Sequence, residues 1–160
     1  MISITHNELV MVAYKYCLKN FSVGVAFREF KSITDEIPDV IAFGAWNHSV
    51  LIECKASRSD FLSDKKKPFR SEPKLGMGKQ RFYCCPDNLI KIDELPDGWG
   101  LIYVNQNKKA RLIYSPYRGN IEERDLGFLE RNTIAEMSIL YSAVRRLALR
   151  GYIEEIYEKP

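Results

Sequence analysis

Residues 49–57 read Ser-Val-Leu-Ile-Glu-Cys-Lys-Ala-Ser, an apolar run that ends in a carboxylate and an ammonium with one residue between them. Side chains on a strand alternate between its faces. Leu51, Glu53 and Lys55 therefore share one face, and Ile52 and Cys54 share the other. Upstream, Pro38-Asp39-Val40-Ile41-Ala42-Phe43 is a second apolar run that opens on an acid. Two carboxylates at neighbouring strand ends can hold a divalent cation and a water, with the ammonium of Lys55 beside them. Taken alone, Glu53-Cys54-Lys55 is also the pattern of an ordinary strand-face ion pair, worth ~0.2–1 kcal/mol.

The flanking sequence says what would position these groups. Leu9, Val12, Ala13, Tyr16 and Cys17 recur at helical spacing, so residues 5–20 read as a helix opened by the capping box Thr5-His6-Asn7-Glu8. Val23, Val25 and Phe27 alternate, which predicts a strand within 21–30; further strands are predicted over 38–43 and 49–56, joined by a hairpin at 44–48. Ser57 and Asp60 have the spacing of a helix start. Residues 65–78 read as a long loop carrying Lys65, Lys66, Lys67, Phe69, Arg70 and Lys74. A second helix is predicted from Lys79 to Cys85, ending at Pro86, followed by strands over 99–105 and 110–114. Near the end, Ile134, Met137, Leu140, Tyr141, Val144, Leu147 and Ala148 form an apolar helical stripe behind a capping pattern, Thr133-Ile134-Ala135-Glu136. The stripe packs a core or pairs with a second copy of the chain. Strands interleaved with helices in this order predict an α/β fold.

Composition narrows the class. The chain has 160 residues, 46% apolar and 28% charged, which suits one globular domain: a core over about 5–115 and a helical extension over about 121–151. The net charge of +3 is too small to imply a nucleic-acid partner by itself. No apolar run approaches the ~20 residues that cross a bilayer, and the first residues lack a basic-then-apolar leader, so a cytoplasmic location is expected. Cys17, Cys54, Cys84 and Cys85 form no Cys-x-x-Cys pair, and neither His6 nor His48 has zinc-site spacing to them; buried free thiols are expected.

Pro38-Asp39 followed by Glu53-Cys54-Lys55, on the second and third strands after a leading helix, resembles the PD-(D/E)XK nuclease superfamily. The run Glu53-Cys54-Lys55-Ala56-Ser57-Arg58-Ser59-Asp60-Phe61-Leu62-Ser63-Asp64-Lys65 is closer still to MmcB-type DNA-repair proteins and related phage proteins. So are Tyr83-Cys84-Cys85-Pro86 and Leu95-Pro96-Asp97-Gly98-Trp99-Gly100-Leu101. The resemblance implies a restriction-endonuclease-like mixed sheet of four to five strands flanked by helices, with an added C-terminal helix.

It also implies a chemistry. Asp39, Glu53 and Lys55 would be the catalytic residues of a DNA endonuclease or repair nuclease. Asp39, Glu53 and the Cys54 backbone carbonyl would hold Mg2+ or Mn2+, and Glu29 and Glu8 are candidate additional ligands. Lys55 would act first as an electrostatic stabiliser and second as a general base. DNA is the expected partner, met by Arg58, Lys65, Lys66, Lys67, Arg70, Lys79, Gln80 and Arg81, since basic side chains neutralise backbone phosphates; Phe69 could stack on a base. The alternative is a nucleic-acid-binding module on the same fold with little catalysis. Superfamily enzymes that cut both strands often pair, which keeps the dimer reading of the C-terminal helix open.

Overall fold

The computed structural model describes residues 3–31, 33–117 and 127–160. Helix α1 (His6–Asn20) precedes strands β1 (Val25–Arg28), β2 (Val40–Phe43) and β3 (Ser49–Cys54). Helices α2 (Arg58–Asp64) and α3 (Pro68–Ser71) follow, then β4 (Gln80–Pro86), β5 (Trp99–Val104), β6 (Ala110–Tyr114) and α4 (Thr133–Leu149). The described strands form one six-stranded mixed sheet in sequence order. Its outer pairs β1–β2, β2–β3 and β5–β6 are antiparallel, while β3–β4 and β4–β5 are parallel.

The sheet is covered on both sides. Leu9, Val10, Ala13 and Cys17 of α1 pack on Val40, Ala42, Val50, Ile52, Cys54, Phe82 and Cys84. On the opposite face, Phe61 of α2 and Ala135 and Ile139 of α4 join Ile41, Leu51, Tyr83, Cys85, Trp99 and Leu101. Central strands sandwiched this way need apolar residues at successive positions. This explains the main departure from the sequence reading. Residues 80–86, expected to be helical, form strand β4 with Phe82 and Cys84 on one face and Tyr83 and Cys85 on the other. A short run that is apolar on both faces has no diagnostic period. It also raises the strand count above the four to five expected.

Because β4 runs parallel to β3, the chain must return to the opposite end of the sheet before pairing again. Residues 55–79 make that crossover. The stretch expected as loop contains α3 and a 3-10 turn at Pro73–Leu75. The crossover closes at Gly78, whose φ is +88° and where a Cβ would lie 2.5 Å from that of Leu51. Only glycine suits both the backbone and the space.

Helix α4 differs from expectation in two ways. Its cap is Asn132, whose side chain accepts from the Ala135 amide, and Glu136 is buried against the sheet instead of closing a capping box. Most of the apolar stripe does not face the core: Ile134 is 72%, Met137 65% and Tyr141 62% exposed, while Leu140 packs against it. The expected extension begins at 121, and 121–126 lie outside the described residues. Among the described residues no helix is long and apolar enough to cross a membrane.

Candidate functional site

The β2–β3 register pairs Val40 with Ile52, so one step further Asp39 stands opposite Glu53. Directly opposed residues in an antiparallel pair have Cα atoms about 4.5–5.5 Å apart. Alternation holds as expected: Cys54 lies in the core beneath α1, and Glu53 faces the other layer. Asp39 Oδ2 accepts the Cys54 amide at 2.7 Å, which fixes the carboxylate at the sheet edge. Lys55 follows the strand end, and its amide donates to the Cys84 carbonyl at 2.9 Å.

Behind Glu53 lies a buried ionic network. Lys55 Nζ is 3.2 Å from both Glu53 Oε2 and Asp64 Oδ1. The Arg70 guanidinium reaches Asp64 Oδ2 at 2.8 Å, Glu36 Oε1 at 3.2 Å and Glu53 Oε2 at 3.3 Å. Tyr83 donates its hydroxyl to Asp64 Oδ2 at 2.7 Å, and Met77 donates its amide to Glu36 Oε2 at 2.9 Å. Burial opposes the Lys55 ammonium, but Glu53, Asp64 and Asp39 outweigh it and raise its pKa. Burial also raises the Glu36 carboxyl despite Arg70, whereas Asp64 is held low because Arg70, Lys55 and Lys67 outweigh its desolvation.

Two observations at the sheet edge fit a cation. Glu53 is 2% exposed, and among the described residues its Oε1 has no hydrogen-bond partner. A buried carboxylate oxygen left so is costly. Asp39 has its pKa pushed up to about 6, by burial first and then by the Glu53 charge. A divalent ion between the two carboxylates would satisfy the oxygen and relieve the repulsion.

No family model matches the chain, and no curated protein matches it. Among solved structures it is similar to the SPO1766 protein of unknown function from Silicibacter pomeroyi, with a TM-score of 0.59 and 20% identity over 93% of this chain and 94% of that one. At that identity the likeness shows the shared fold alone.

The remaining expected site residues divide. Glu29 Oε1 lies 3.7 Å from His6 Nε2, which is itself 3.2 Å from Asp39 Oδ1, so Glu29 does join this edge. Glu8 does not: its carboxylate closes the capping box on Thr5 and pairs with Lys108 at 2.8 Å, and it is held at about 2 by the Lys108 bond first and the Thr5 amide next. Lys65, Lys66, Lys67 and Lys74 are exposed, with Lys67 Nζ 2.9 Å from Asp64. Arg58 clasps Glu94 and the Leu89 carbonyl, and Asp60 contributes its amide to the Ser57 cap.

Three expected phosphate contacts are corrected. Arg70 is enclosed in the ionic network, and Phe69 lies against its guanidinium at 4.9 Å. Arg81 is fully buried; it donates to the carbonyls of Gly78, Pro73 and Gly76 and stacks 3.9 Å from the Phe128 ring centroid. Lys79 is buried where its amide meets Ser49 Oγ. Gln80 is half-buried at the start of β4. A run of basic letters does not reveal which of them a crossover turns inward.

The sequence reading also missed Glu36, Asp64 and His6. His6 was read only as part of a helix cap and Asp64 only as part of the run after Lys55, and each of the three reaches the site through tertiary folding.

The Asp39 shift fixes a pH dependence. Its folded pKa lies above the ordinary 3.8, so between about pH 4 and 6 the folded chain binds more protons than the unfolded one. Stability from this group is therefore present at low pH and lost as pH rises through about 6, on the order of 2–3 kcal/mol. In chelator at pH 7.5, Asp39→Asn is expected to unfold at higher urea than the parent, with the gain vanishing below pH 4. A constant difference across that range would contradict the assignment.

Proposed function

We propose that the chain is a restriction-endonuclease-like, Mg2+- or Mn2+-dependent DNA endonuclease or repair nuclease of PD-(D/E)XK type. The observation that carries this reading is the opposition of Asp39 and Glu53, the latter with a buried oxygen that finds no hydrogen-bond partner among the described residues, beside a lysine whose pKa these acids raise. The order α1, β1, β2, β3, α2 and a parallel β4 also agrees with that superfamily's core.

In this reading Asp39 and Glu53 hold the cation, with the Cys54 carbonyl at the same strand end. A cation bound there supplies a Lewis acid and lowers the pKa of its water. Lys55 places positive charge where a phosphate oxygen becomes more negative in the transition state. Exposed Lys65, Lys66 and Lys67 lie one helix away from Lys55 and offer sequence-blind contacts to the DNA backbone.

The test is incubation with supercoiled, linear, single-stranded and branched DNA in magnesium or manganese. Cutting is expected from the parent and not from Asp39→Ala or Lys55→Ala. Equal residual cutting by all three would assign it to a contaminant. Salt-sensitive binding without cutting would favour the binding-module alternative.

We further propose that α4 pairs with a second copy of the chain. Ile134, Met137, Tyr141, Val144 and Ala148 recur at alternating steps of three and four, the spacing of a coiled-coil seam. Ile134, Met137, Tyr141 and Val144 leave this strip open to solvent, an apolar surface of the kind that an interface between copies covers. A two-fold pairing would use the same strip on both copies. Light scattering is expected to give a dimer for the parent and a monomer for Met137→Glu/Tyr141→Glu. A monomeric parent at high concentration would remove the proposal.

A further inference from the structure

We propose that the acidic 3-10 turn following α4 docks into the groove between α1 and β6 of a second copy of the chain. The groove has a volume of about 660 Å3. Met11, Val12 and Tyr16 of α1 and Ala110 of β6 give it apolar walls. Exposed Lys15, Lys19 and Lys108 also line it, together with Glu8, which Lys108 pairs at 2.8 Å. Three lysines against one carboxylate leave the groove positive. Apolar walls with a few charged groups converging on them are the usual make-up of a binding cleft.

The matching surface lies beyond α4, in the 3-10 turn Ile153–Tyr157. Ile156 is 60% and Tyr157 76% exposed, and Glu154, Glu155 and Glu158 are exposed around them. Side chains three apart eclipse in such a turn, so Glu154 and Tyr157 point the same way. An acid beside an aromatic ring is the electrostatic complement of lysines beside apolar walls. The lengths agree as well. A turn of 5 residues is about 10 Å long, and the groove follows α1 from Glu8 to Lys19, about 16 Å.

The fold keeps a copy's turn away from its own groove. Helix α1 packs on one face of the sheet and α4 on the other. Gly151, with φ +81°, ends α4, and the Tyr152 amide donates to the Leu147 carbonyl at 2.9 Å, which pins the turn to that helix end. The contact therefore runs from one copy to the next. Because its two surfaces differ, each docked pair keeps one open groove and one open turn, and association continues unless it closes a ring. The proposal depends neither on DNA cleavage nor on pairing through α4. Its rival is that Ile156 and Tyr157 prolong the exposed strip of α4 and are covered when two such helices pair.

Cross-linking tests it in the full chain. Unlabelled and heavy-nitrogen-labelled protein are mixed at low salt, where charge pairing is least screened, and coupled with a carbodiimide. Isotope-mixed peptide pairs are expected to join Glu154, Glu155 or Glu158 of one copy to Lys15, Lys19 or Lys108 of another. Lys15→Glu/Lys19→Glu and Glu154→Lys/Glu155→Lys change exposed positions only, so both variants keep the fold. Each alone is expected to lose these pairs and to show a light-scattering mass about twofold below the parent's at high concentration. Mixing the two variants is expected to restore both, because the reversed charges meet again. Cross-links confined to one copy, or no recovery on mixing, overturn the proposal. So does loss of the mixed pairs in Met137→Glu/Tyr141→Glu, which would assign the turn to the α4 pairing. Mixed pairs that persist in that variant support the groove even where α4 pairing fails and no DNA is cut.

Discussion

Replacing Arg70 by methionine is expected to lower stability by about 3–5 kcal/mol, because it strips a buried cation from three buried carboxylates. Arg70 bonds Asp64, Glu36 and Glu53, and the side chains on both sides of these contacts are almost wholly enclosed. Lys55 would remain on Glu53 and Asp64 and the half-exposed Lys67 on Asp64, while Glu36 would lose the Arg70 pairing. The loss is a large part of the 5–15 kcal/mol that holds an ordinary domain together. The deficit depends on pH with a definite sign. Asp64 is depressed in the folded chain, with Arg70 the largest of the influences that lower it. The stability it contributes is therefore present above the ordinary aspartate range and lost as pH falls through and below it. Urea unfolding should show the full Arg70→Met deficit near pH 7 and a smaller one near pH 4. Adding Asp64→Asn to Arg70→Met should recover part of it at pH 7. A deficit below 1 kcal/mol at neutral pH would mean that the network is hydrated and the carboxylates need no partner.

Arg70 also shows what a sequence hides. The run Lys65-Lys66-Lys67-Pro68-Phe69-Arg70 reads as one solvated basic surface, and for the three lysines that is what the fold presents. Arg70 departs from it because Pro68 begins a short helical turn that swings residue 70 under the sheet, toward acids 6 to 34 residues away. Arg81 departs for a related reason: its partners are carbonyl groups, which leave no mark in a sequence. The centre of the site was far more legible. Period-two alternation put Glu53 and Cys54 on opposite faces, and the short hairpin allowed Asp39 to stand opposite Glu53. Strand β4 was not legible, since residues apolar on both faces carry neither period. In α4 the period was legible but its direction was not. The sheet takes Ala135, Glu136 and Ile139, with Glu136 made tolerable by Ser49, the Gly78 amide and Arg131, and the larger apolar stripe faces outward.

Under the proposed nuclease function, loss of the Lys55 charge is expected to reduce DNA cleavage by about 10²–10³-fold, the size of effect seen when one preorganised electrostatic contact to a transition state is removed. The reasoning starts from the lysine's surroundings. Its Nζ lies 3.2 Å from Glu53 and 3.2 Å from Asp64, and these carboxylates with Asp39 overcome burial and raise its pKa above the ordinary 10.5. With a raised pKa, the ammonium and the stability it contributes persist across neutral and mildly alkaline pH and are lost only above the ordinary lysine range. The same acids favour the charged form of Lys55, and the role proposed for it in the reaction is therefore charge first, with proton abstraction as the rival that the variants below separate. That role separates two variants. Lys55→Arg keeps the charge in a different shape and should retain more activity than Lys55→Met. Single-turnover rates at saturating metal, taken well below each variant's unfolding temperature, remove the contribution of stability. Lys55→Met also leaves Glu53 and Asp64 short of one cation, so its unfolding curve must be measured beside its rate. Equal rates for the methionine and arginine variants would show that charge is not what Lys55 supplies. A parental rate rising tenfold per pH unit between 7 and 9, and lost in Lys55→Arg, would instead assign it the proton.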